Sequence, residues 1–322
     1  MTVPAISVVI ATRERAATLH RLLRSVQAQD LADFECIVVD DGSSPETLDA
    51  CEQFWPALGE RFQLHRRMRV GTWSGGPGMG RNAGIALARG PYVAFCDDDD
   101  YWTRADHLSM AVRAMSEASA DLYFADMQTS AHGEVRNPSW FSVSRQDLTR
   151  MPVTGLPGTY EVDLASVARF LRHRIFHANT LVIGKDLLDR TGGYWEKVNF
   201  SEDHDFSFRL ADQARRMLFH DAVVADLDVT PHASIARTFS PEERLLFGMV
   251  ACLHAESAVN SPVLRAVARD NRAWKLSELS QMHLDAGKRQ SAIAFAREAV
   301  MLKPTGNSLR LLAKAWRWRA AA

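Results

Sequence analysis

Two acidic clusters lie where apolar segments of the sequence end. Asp40-Asp41 follows the run FECIVV, and the four aspartates Asp97–Asp100 follow YVAFC. Carboxylates this close raise one another's pKa and destabilise a fold unless a positive charge lies among them. Mg²⁺ and Mn²⁺ prefer oxygen ligands and commonly bridge protein carboxylates to phosphates. The second cluster therefore indicates a divalent-metal site or a solvated acidic turn, and the flanking aromatics Phe95, Tyr101 and Trp102 favour the site.

The surrounding sequence predicts a sheet that brings both clusters to one edge. Apolar runs alternate with helical patterns along the first half of the chain, and such runs are typical of buried parallel strands. Strand–helix alternation with short connections predicts a mostly parallel sheet covered on both faces. Ligands of such sheets bind beyond the carboxyl ends of the strands, where both clusters fall. The predicted strands are residues 5–11, 34–39, 92–96 and 122–127.

Two further pairs of polar residues open predicted helices. Glu202-Asp203 begins one of them, but acids at a helix N-terminus are favoured by the helix dipole alone. Arg81 and Asn82 begin another after a glycine-rich segment. In that position backbone N–H groups and a guanidinium can bind an anion.

Four segments, taken in order, resemble the motif set of family-2 nucleotide-sugar glycosyltransferases: SVVIATRER, VVDDGSS, GRNAGIALARGPYVAFCDDDDYW and GGYWEKVNFSEDHDFSFRL. Each motif alone is common, but four in this order and spacing are specific, and they cover roughly residues 5 to 235. The resemblance implies an α/β fold of the GT-A type, a Rossmann-like, mostly parallel sheet with helices on both faces. It also implies an enzyme that moves a sugar from a nucleotide-diphosphate-sugar donor to a hydroxyl of a saccharide or glycolipid acceptor.

The resemblance further implies roles for single residues. The metal, Mn²⁺ or Mg²⁺, would be held by Asp97 and Asp99 of the Asp-x-Asp motif, with His232 as a third ligand or as an ordinary surface or structural histidine. Because this sequence has four aspartates where the family usually has three or fewer, the register of the ligands is open by one residue. The residues that would contact the nucleotide are Thr12, Arg15, Asp41, Arg81, Asn82 and Asp98.

Catalysis would fall to the pair at the start of the predicted helix. Asp203 would deprotonate the acceptor hydroxyl and Glu202 would orient the acceptor, in a single displacement that inverts the anomeric carbon. A sugar-phosphate nucleotidyltransferase is a rival interpretation, which the absence of glycine from Ala11–Arg15 disfavours. A retaining transferase on the same fold is another. A non-catalytic nucleotide-binding scaffold with a helical tail for partners is the alternative of a different class, and the complete acidic set argues against it.

The sequence predicts three regions. Residues 1–127 form the nucleotide-binding half and 128–238 the acceptor-binding half of the catalytic domain, and 239–322 form a helical extension. Within the second half, 128–160 is irregular and is interpreted as a long loop over the site. In the extension, 273–304 resembles one tetratricopeptide-type hairpin. The last segment, basic and rich in Trp, either docks on the protein or contacts an anionic membrane surface.

Composition narrows the partners and the compartment. A net charge of −1 over 322 residues argues against a nucleic-acid binder. Four scattered cysteines without a Cys-x-x-Cys pair favour a reducing compartment. No segment reads as a signal peptide or reaches the roughly 20 apolar residues of a membrane span. We expect a cytoplasmic protein, free or peripheral to the inner face of the membrane, and family habit suggests bacterial polysaccharide or glycolipid synthesis.

Overall fold

The computed structural model describes residues 2–67, 76–141, 150–153, 155–230 and 238–317. These residues form one mixed sheet with helices on both faces, followed by a series of C-terminal helices. The strands are β1 (Ile6–Thr12), β2 (Phe34–Asp40), β3 (Phe62–Arg66), β4 (Tyr92–Phe95), β5 (Tyr101–Trp102), β6 (Leu122–Ala131), β7 (Glu134–Asn137), β8 (Arg150–Pro152), β9 (Thr159–Val162), β10 (Leu181–Gly184) and β11 (Met217–Asp228).

Helices follow most of the strands. Those that flank the sheet are α1 (Ala16–Gln27), α2 (Pro45–Phe54), α3 (Gly76–Leu87), α4 (His107–Ala118), α5 (Leu164–Phe170), α6 (Lys185–Thr191) and α7 (Glu202–Gln213). The C-terminal helices are α8 (Pro241–Ala258), α9 (Pro262–Asp285), α10 (Arg289–Leu302) and α11 (Gly306–Arg317). In the part of the chain that the structure describes, no helix is long and apolar enough to cross a bilayer. All four cysteines are buried and unpaired.

The strand order is β3-β2-β1-β4-β10-β6-β11-β9-β8, with β5 on β11 and β7 on β6. The first four strands in that order are parallel. Strand β10 is antiparallel to both of its neighbours, β4 and β6, while β6 and β11 are parallel. The α/β prediction is confirmed, and the four parallel strands β1 to β4 lie within residues 1–127, the predicted nucleotide-binding half.

The apolar runs are continuous because both faces of these strands are covered. Side chains alternate between faces along a strand. Val9 and Ile37 belong to one core together with residues of α6 and α7, while Val8, Ile10 and Val38 belong to the other together with residues of α1 and α4. A solvated face would have required polar residues at every second position.

The segment 128–160, predicted to be a loop, contains additional strands. Strand β7 pairs with β6 in a hairpin, and β8 pairs with β9, which lies against β11. The prediction was wrong here because these strands lack the apolar alternation of a half-buried strand. Three of the four side chains of β7 are exposed, so backbone pairing at the edge of the sheet defines that strand.

Glycines let α3 approach β1 closely. A Cβ at Gly84 would lie 2.3 Å from Cγ1 of Val9, and one at Gly80 would lie 2.9 Å from Cβ of Ala11. Larger residues at these positions would push the helix away from the strand. The close approach places Arg81, between the two glycines, beside the carboxyl ends of β1 and β4.

The first two C-terminal helices share a core with the sheet. Ala255 of α8 and Leu264 and Val267 of α9 belong to the same apolar cluster as Phe170 and Phe206. By contrast, α10 and α11 pack on α9 through a small separate cluster. Residues 241–285 are therefore joined to the sheet domain by apolar packing, and 289–317 are attached to it through α9.

Candidate functional site

A cavity of about 870 Å³ opens at the carboxyl ends of β1, β2 and β4. Ligand pockets in proteins commonly have about 300–1,000 Å³. The N-terminus of α7 forms part of its wall, so three acidic segments that are far apart in the sequence meet there. The predicted site residues in the wall are Thr12, Arg15, Asp41, Arg81, Asp97, Asp98, Asp99, Glu202 and Asp203.

Asp98 is bound by the two residues that end and follow β1. Thr12 Oγ1 donates to Asp98 Oδ2 at 2.7 Å, and Arg15 Nη1 donates to Oδ1 at 2.5 Å. The same Arg15 nitrogen lies 3.0 Å from Asp99 Oδ2. Burial raises the pKa of Asp98 to about 6, although the charge of Arg15 opposes the rise. Four predicted site residues therefore form one connected group.

The two aspartates after β2 have different surroundings. The Asp40 carboxylate accepts the backbone N–H groups of Gly42 and Ser43, at 3.2 and 3.1 Å, and closes the turn. Asp41 lines the cavity, and its Oδ1 lies 3.2 Å from Nη1 of Arg67. Asp41 is thus the member of the pair that a ligand in the cavity can reach, and its contact with the nucleotide stays a prediction.

Asn179 fixes the conformation of the four-aspartate segment. Its Oδ1 accepts the backbone N–H of Asp97 at 2.9 Å, and its Nδ2 donates to Asp100 Oδ2 at 2.7 Å. The backbone N–H of Asp228 donates to the other oxygen of Asp100 at 2.8 Å. These contacts turn Asp100 into the protein, where it is buried.

Asp97 and Asp100 form a candidate metal site with His177. One carboxylate oxygen of each aspartate and one ring nitrogen of His177 all lie within 4.8 Å of one another. Burial raises the pKa of Asp100 well above its ordinary value, and the charges of Asp99 and Asp97 raise it further. A bound cation would relieve this repulsion, and two carboxylates with an imidazole suit Mn²⁺ or a similar divalent ion. The donor set fits the predicted metal.

This grouping differs from the predicted ligands Asp97, Asp99 and His232. Asp97 belongs to both sets, whereas Asp99 lies beside Arg15. His232 lies outside the described residues. Among the described residues, Asn179 and the backbone of Asp228 hold Asp100 beside Asp97, whereas the role of Asp99 as a metal ligand stays a prediction.

Arg81 is engaged by carboxylates. Its Nη2 donates to Asp97 Oδ1 at 2.6 Å and its Nη1 to Glu202 Oε1 at 2.7 Å, and the residue is only 7% exposed. Burial raises the pKa of Asp97, but the charges of Arg81 and His177 outweigh it and leave that pKa below its ordinary value. Arg81, which the sequence analysis suggested for anion binding, thus links the aspartate cluster to α7.

Asn82 lies outside the described cavity wall. Its Nδ2 donates to the carbonyl oxygen of Tyr194 and to Glu196 Oε1, each at 2.8 Å, and its Oδ1 accepts the N–H of Tyr194 at 2.8 Å. A Cβ at Gly193 would lie 2.5 Å from that Oδ1. In this structure Asn82 fixes the turn before α7, and the predicted nucleotide contact stays a prediction.

Asp203 differs from Glu202 in its partners. Its Oδ1 accepts the backbone N–H of His204 at 2.8 Å, and within the described ranges no arginine or lysine pairs with it. Burial raises its pKa despite the nearby positive charges of His177 and Arg81. The preceding Ser201 has a left-handed φ of 65°, a conformation that non-glycine residues adopt mainly where their surroundings impose it. Asp203 is half-buried in the cavity wall, and among the described residues its carboxylate has no cationic partner.

Comparison with known proteins places this geometry in a family. Residues 7–159 match the family model described as Glycosyl transferase family 2. This part of the chain belongs to glycosyl transferase family 2. The chain is 36% identical over 128 residues to a PGL/p-HBAD biosynthesis glycosyltransferase of Mycobacterium bovis, a match covering 39% of this chain and 48% of that protein. It is 39% identical over 111 residues to succinoglycan biosynthesis protein ExoW of Rhizobium meliloti, covering 34% of this chain and 33% of that protein. The chain thus spans about half or less of the length of these curated relatives.

Solved structures share the fold of the family 2 domain and of the helices after it. Residues 1–349 of S. aureus TarS match with a TM-score of 0.63 and 21% identity, covering 97% of this chain and 86% of that one. Mannosyltransferase PcManGT from Pyrobaculum calidifontis, solved with GDP-Man and Mn²⁺, matches with a TM-score of 0.60 and 18% identity, covering 98% and 80%. The predicted GT-A fold is confirmed.

The C-terminal helices also contribute to the cavity of the family 2 domain, which the sequence analysis did not anticipate. The wall includes Arg244 and Leu245 of α8 and Trp274 and Lys275 of α9. It also includes His177. Helical periodicity offers one weak signal for Lys275, because a lysine on the packed side of an amphipathic helix is unusual.

Proposed function

We propose that the protein is an inverting, metal-assisted glycosyltransferase that moves a sugar from a nucleoside diphosphate to a hydroxyl of a saccharide or glycolipid. The observation that carries the proposal is the shared cavity. It brings a cation-binding aspartate cluster together with Asp203, an acid that has no cationic partner among the described residues. S. aureus TarS, whose fold is similar, was solved with UDP and with UDP-GlcNAc, which supports a nucleotide-sugar donor here.

The nucleoside would lie against the ends of β1 and β2. Asp41 would accept a hydrogen bond from a base N–H or a ribose hydroxyl, since an ionised carboxylate is an acceptor with no donor. Asp98, held by Thr12 and Arg15, would accept another from the ribose. The positive charge of Arg15 would also offset part of the negative charge of the diphosphate.

Asp97, Asp100 and His177 would hold the divalent cation, with Asp99 as the alternative ligand in the register read from the sequence. When bound there, the metal would offset the charge that develops on the departing diphosphate. The protein's own contribution is the placement of the ligands: Asn179 holds Asp100 and the backbone of Asp97, and Arg81 holds the Asp97 carboxylate.

Asp203 would act as the base. Glu202 is bound by Arg81 at 2.7 Å, so its carboxylate is engaged, whereas that of Asp203 is partly exposed to the cavity. Asp203 would take the proton of the acceptor hydroxyl as its oxygen forms the bond to the anomeric carbon. The bond to the diphosphate oxygen breaks on the opposite side of that carbon. One displacement from the opposite side inverts the anomeric configuration.

The stereochemistry of donor hydrolysis tests this proposal without knowledge of the acceptor. The protein with Mn²⁺ is incubated with a panel of nucleotide sugars, and the first-formed anomer of the released sugar is identified by proton NMR before it equilibrates. We expect release of the anomer opposite to that of the donor. Release with retention would contradict single displacement, and no release from any donor, with no transfer to added sugars, would contradict the glycosyltransferase assignment.

The cellular role that we propose is synthesis of a bacterial surface polysaccharide or glycolipid, close to the inner face of the membrane. The curated relatives named above support the first part through their printed roles in PGL/p-HBAD and succinoglycan biosynthesis. Helix α11 supports the second, since Leu309 and Trp316 are 51% and 63% exposed beside the basic residues Lys314 and Arg317. Co-sedimentation with anionic but not zwitterionic vesicles, reduced in Trp316→Ala, would test the membrane contact.

A further inference from the structure

Lys275 is a buried cation in the cavity wall. The residue is 8% exposed and lines the cavity. Across the described ranges, no hydrogen bond or ion pair engages its ammonium group, and the ring centroid of Trp274 is 5.6 Å away. A buried charge is costly unless it is paired. The ammonium group thus has the properties of a site for an anion that the described chain does not supply.

The packing of α8 on α9 makes room for this lysine. A Cβ at Gly248 of α8 would lie 2.7 Å from Lys275 Nζ and 2.9 Å from its Cε. Gly248 is buried in the middle of its helix, where glycine is destabilising by roughly 1 kcal/mol relative to alanine. The glycine is therefore explained by the space that the lysine occupies, and the position of the ammonium group is part of the helix pairing.

Other groups near Lys275 suit an acceptor. Arg244, one turn before Gly248 on α8, lines the cavity, and in the described part of the chain its guanidinium has no hydrogen-bond or ion-pair partner. Trp274 is 58% exposed in the same wall, and an exposed indole can pack against the face of a sugar. Two cations and an aromatic ring thus share one wall of the cavity.

The position of Lys275 relative to α7 shows on which side of the cavity this wall lies. His204 of α7 and Lys275 of α9 both line the cavity, and the two helices contact each other. The charge of Lys275 adds to the lowering of the His204 pKa by burial. His204 directly follows Asp203, the proposed base. The cationic wall therefore lies on the Asp203 side of the cavity, where an acceptor hydroxyl must arrive.

We propose that Lys275 and Arg244 bind an anionic group of the acceptor, a phosphate or a carboxylate, and that Trp274 packs against the adjoining sugar or polyol. The inference rests on the proposed function, since an acceptor is required for it. The acceptor hydroxyl reaches Asp203 while its anionic group lies on the C-terminal helices. Residues 241–285 are in this account part of the acceptor site.

Binding of small anions to the full chain tests the proposal. The donor side is first filled with Mn²⁺ and a nucleoside diphosphate. Glycerol 3-phosphate and glucuronate are then titrated, with glycerol and glucose as neutral counterparts, and Kd is measured by saturation-transfer NMR. We expect at least one anion to bind tenfold or more tightly than its neutral counterpart. Tighter binding of glycerol 3-phosphate indicates a phosphate-bearing acceptor, and tighter binding of glucuronate a carboxylate-bearing one.

Variants assign the binding to the lysine. Lys275→Met should weaken binding of the preferred anion at least tenfold. Lys314→Met, at an exposed lysine of α11, should leave the Kd of that anion unchanged within twofold. Gly248→Ala should displace the ammonium group of Lys275 without removing its charge, and should weaken binding of the anion as well. It keeps the test intact if Lys275→Met does not fold.

Two results would overturn the inference: equal affinity for anionic and neutral probes, or wild-type anion affinity in every folded variant of Lys275 and Gly248. Both leave binding of the nucleoside diphosphate intact. If the wild-type chain binds no nucleoside diphosphate with Mn²⁺, the proposed function itself fails. The first step of the experiment, in which the donor side is filled, measures this binding.

Discussion

Asp97 and Glu202 are joined by a single side chain, since Arg81 donates to the first at 2.6 Å through Nη2 and to the second at 2.7 Å through Nη1. The guanidinium is a rigid planar fork, so it fixes the separation of its two partners. The aspartate segment after β4 and the start of α7 are thereby held in one geometry. Because Asp203 follows Glu202, the proposed base is held relative to the candidate metal site by the same contact.

Arg81→Met should strongly destabilise the protein. It leaves the buried Glu202 and the half-buried Asp97 without their cation, and breaking a buried pair in this way costs roughly 3–5 kcal/mol. Urea unfolding measures the free energy. Arg113→Met is the control, since Arg113 forms an exposed pair with Glu117 on α4 and such pairs contribute about 0.3–0.5 kcal/mol. Equal stabilities of the two variants would show that Arg81 does not hold the site together.

Asp203→Asn should abolish most of the transfer and spare donor binding. A general base contributes a rate factor of about 10² to 10⁴, and the amide is nearly isosteric with the carboxylate. Steady-state kinetics and the Kd of the nucleoside diphosphate are compared in the variant and in Asp186→Asn, an exposed acid in the first turn of α6. Parallel loss of rate and of nucleotide binding in Asp203→Asn would count against its role as the base.

Mn²⁺ binding distinguishes the two registers of metal ligands. Loss of an outer-shell partner weakens metal binding roughly 10–100-fold. His177→Asn should weaken Mn²⁺ binding at least as much, and Asp99→Asn should weaken it less. The free Mn²⁺ signal in electron paramagnetic resonance gives the affinities, with the exposed His173→Asn as control. A large loss in Asp99→Asn with little effect of His177→Asn would favour Asp97 and Asp99, as the sequence motif implies.

His107 should make stability depend on pH. It is buried against Trp102 and Tyr123, and in the described structure neither ring nitrogen has a hydrogen-bond partner. Burial lowers its pKa to about 3, and the charge of His220 contributes to the fall. In the unfolded chain the pKa is about 6.5. Between these values the unfolded state binds a proton that the folded state does not, so this contribution is fully present above pH 6.5 and declines below it.

The expected slope is at most about 1.4 kcal/mol per pH unit from this group. Urea unfolding of the wild type between pH 7 and pH 5 should show the decline, and His107→Phe, which keeps an aromatic ring in place, should reduce it. The exposed His173→Asn should leave the slope as it is. An unchanged slope in His107→Phe would mean that His107 is not the group responsible.

Two truncations separate the roles of the C-terminal helices. Removal of 289–322 takes away α10 and α11 and should leave a folded protein that binds nucleoside diphosphate, because its main loss is the small cluster of α9, α10 and α11. Removal of 239–322 exposes the apolar surface that α8 and α9 cover on the sheet domain, and should give an aggregating product. Circular dichroism and gel filtration measure both outcomes. A monomeric, cooperatively folded 1–238 fragment would establish the predicted boundary at 238 as that of an independent unit.

The sequence was most informative where structure follows from near neighbours. Strands β1, β2 and β4 are apolar on both faces, and their ends are marked by Thr12, Asp41 and Asp97, so the strands and the site edge were both predictable. The place of Asp203 in the cavity wall was predictable because its motif is contiguous. In each case the signal lies within one element and the turn beside it.

The remainder of the site depends on contacts between distant segments. Asn179 reaches Asp97 and Asp100 from the other side of β4, because β10 inserts antiparallel beside that strand. Lys275 reaches the cavity through the packing of α8 and α9. Helical or strand periodicity tells which face of an element is buried, but it does not tell which partner covers that face.

Isothermal titration of nucleoside diphosphates, with and without Mn²⁺, is the most direct measurement of the central claim that the cavity binds a cation and a diphosphate together. Uridine, guanosine and thymidine diphosphates are each titrated into the wild-type chain. We predict that at least one of them binds, and that Mn²⁺ lowers its Kd at least tenfold. Absence of binding by all three in the presence of Mn²⁺, or equal affinity with and without the metal, would contradict the account.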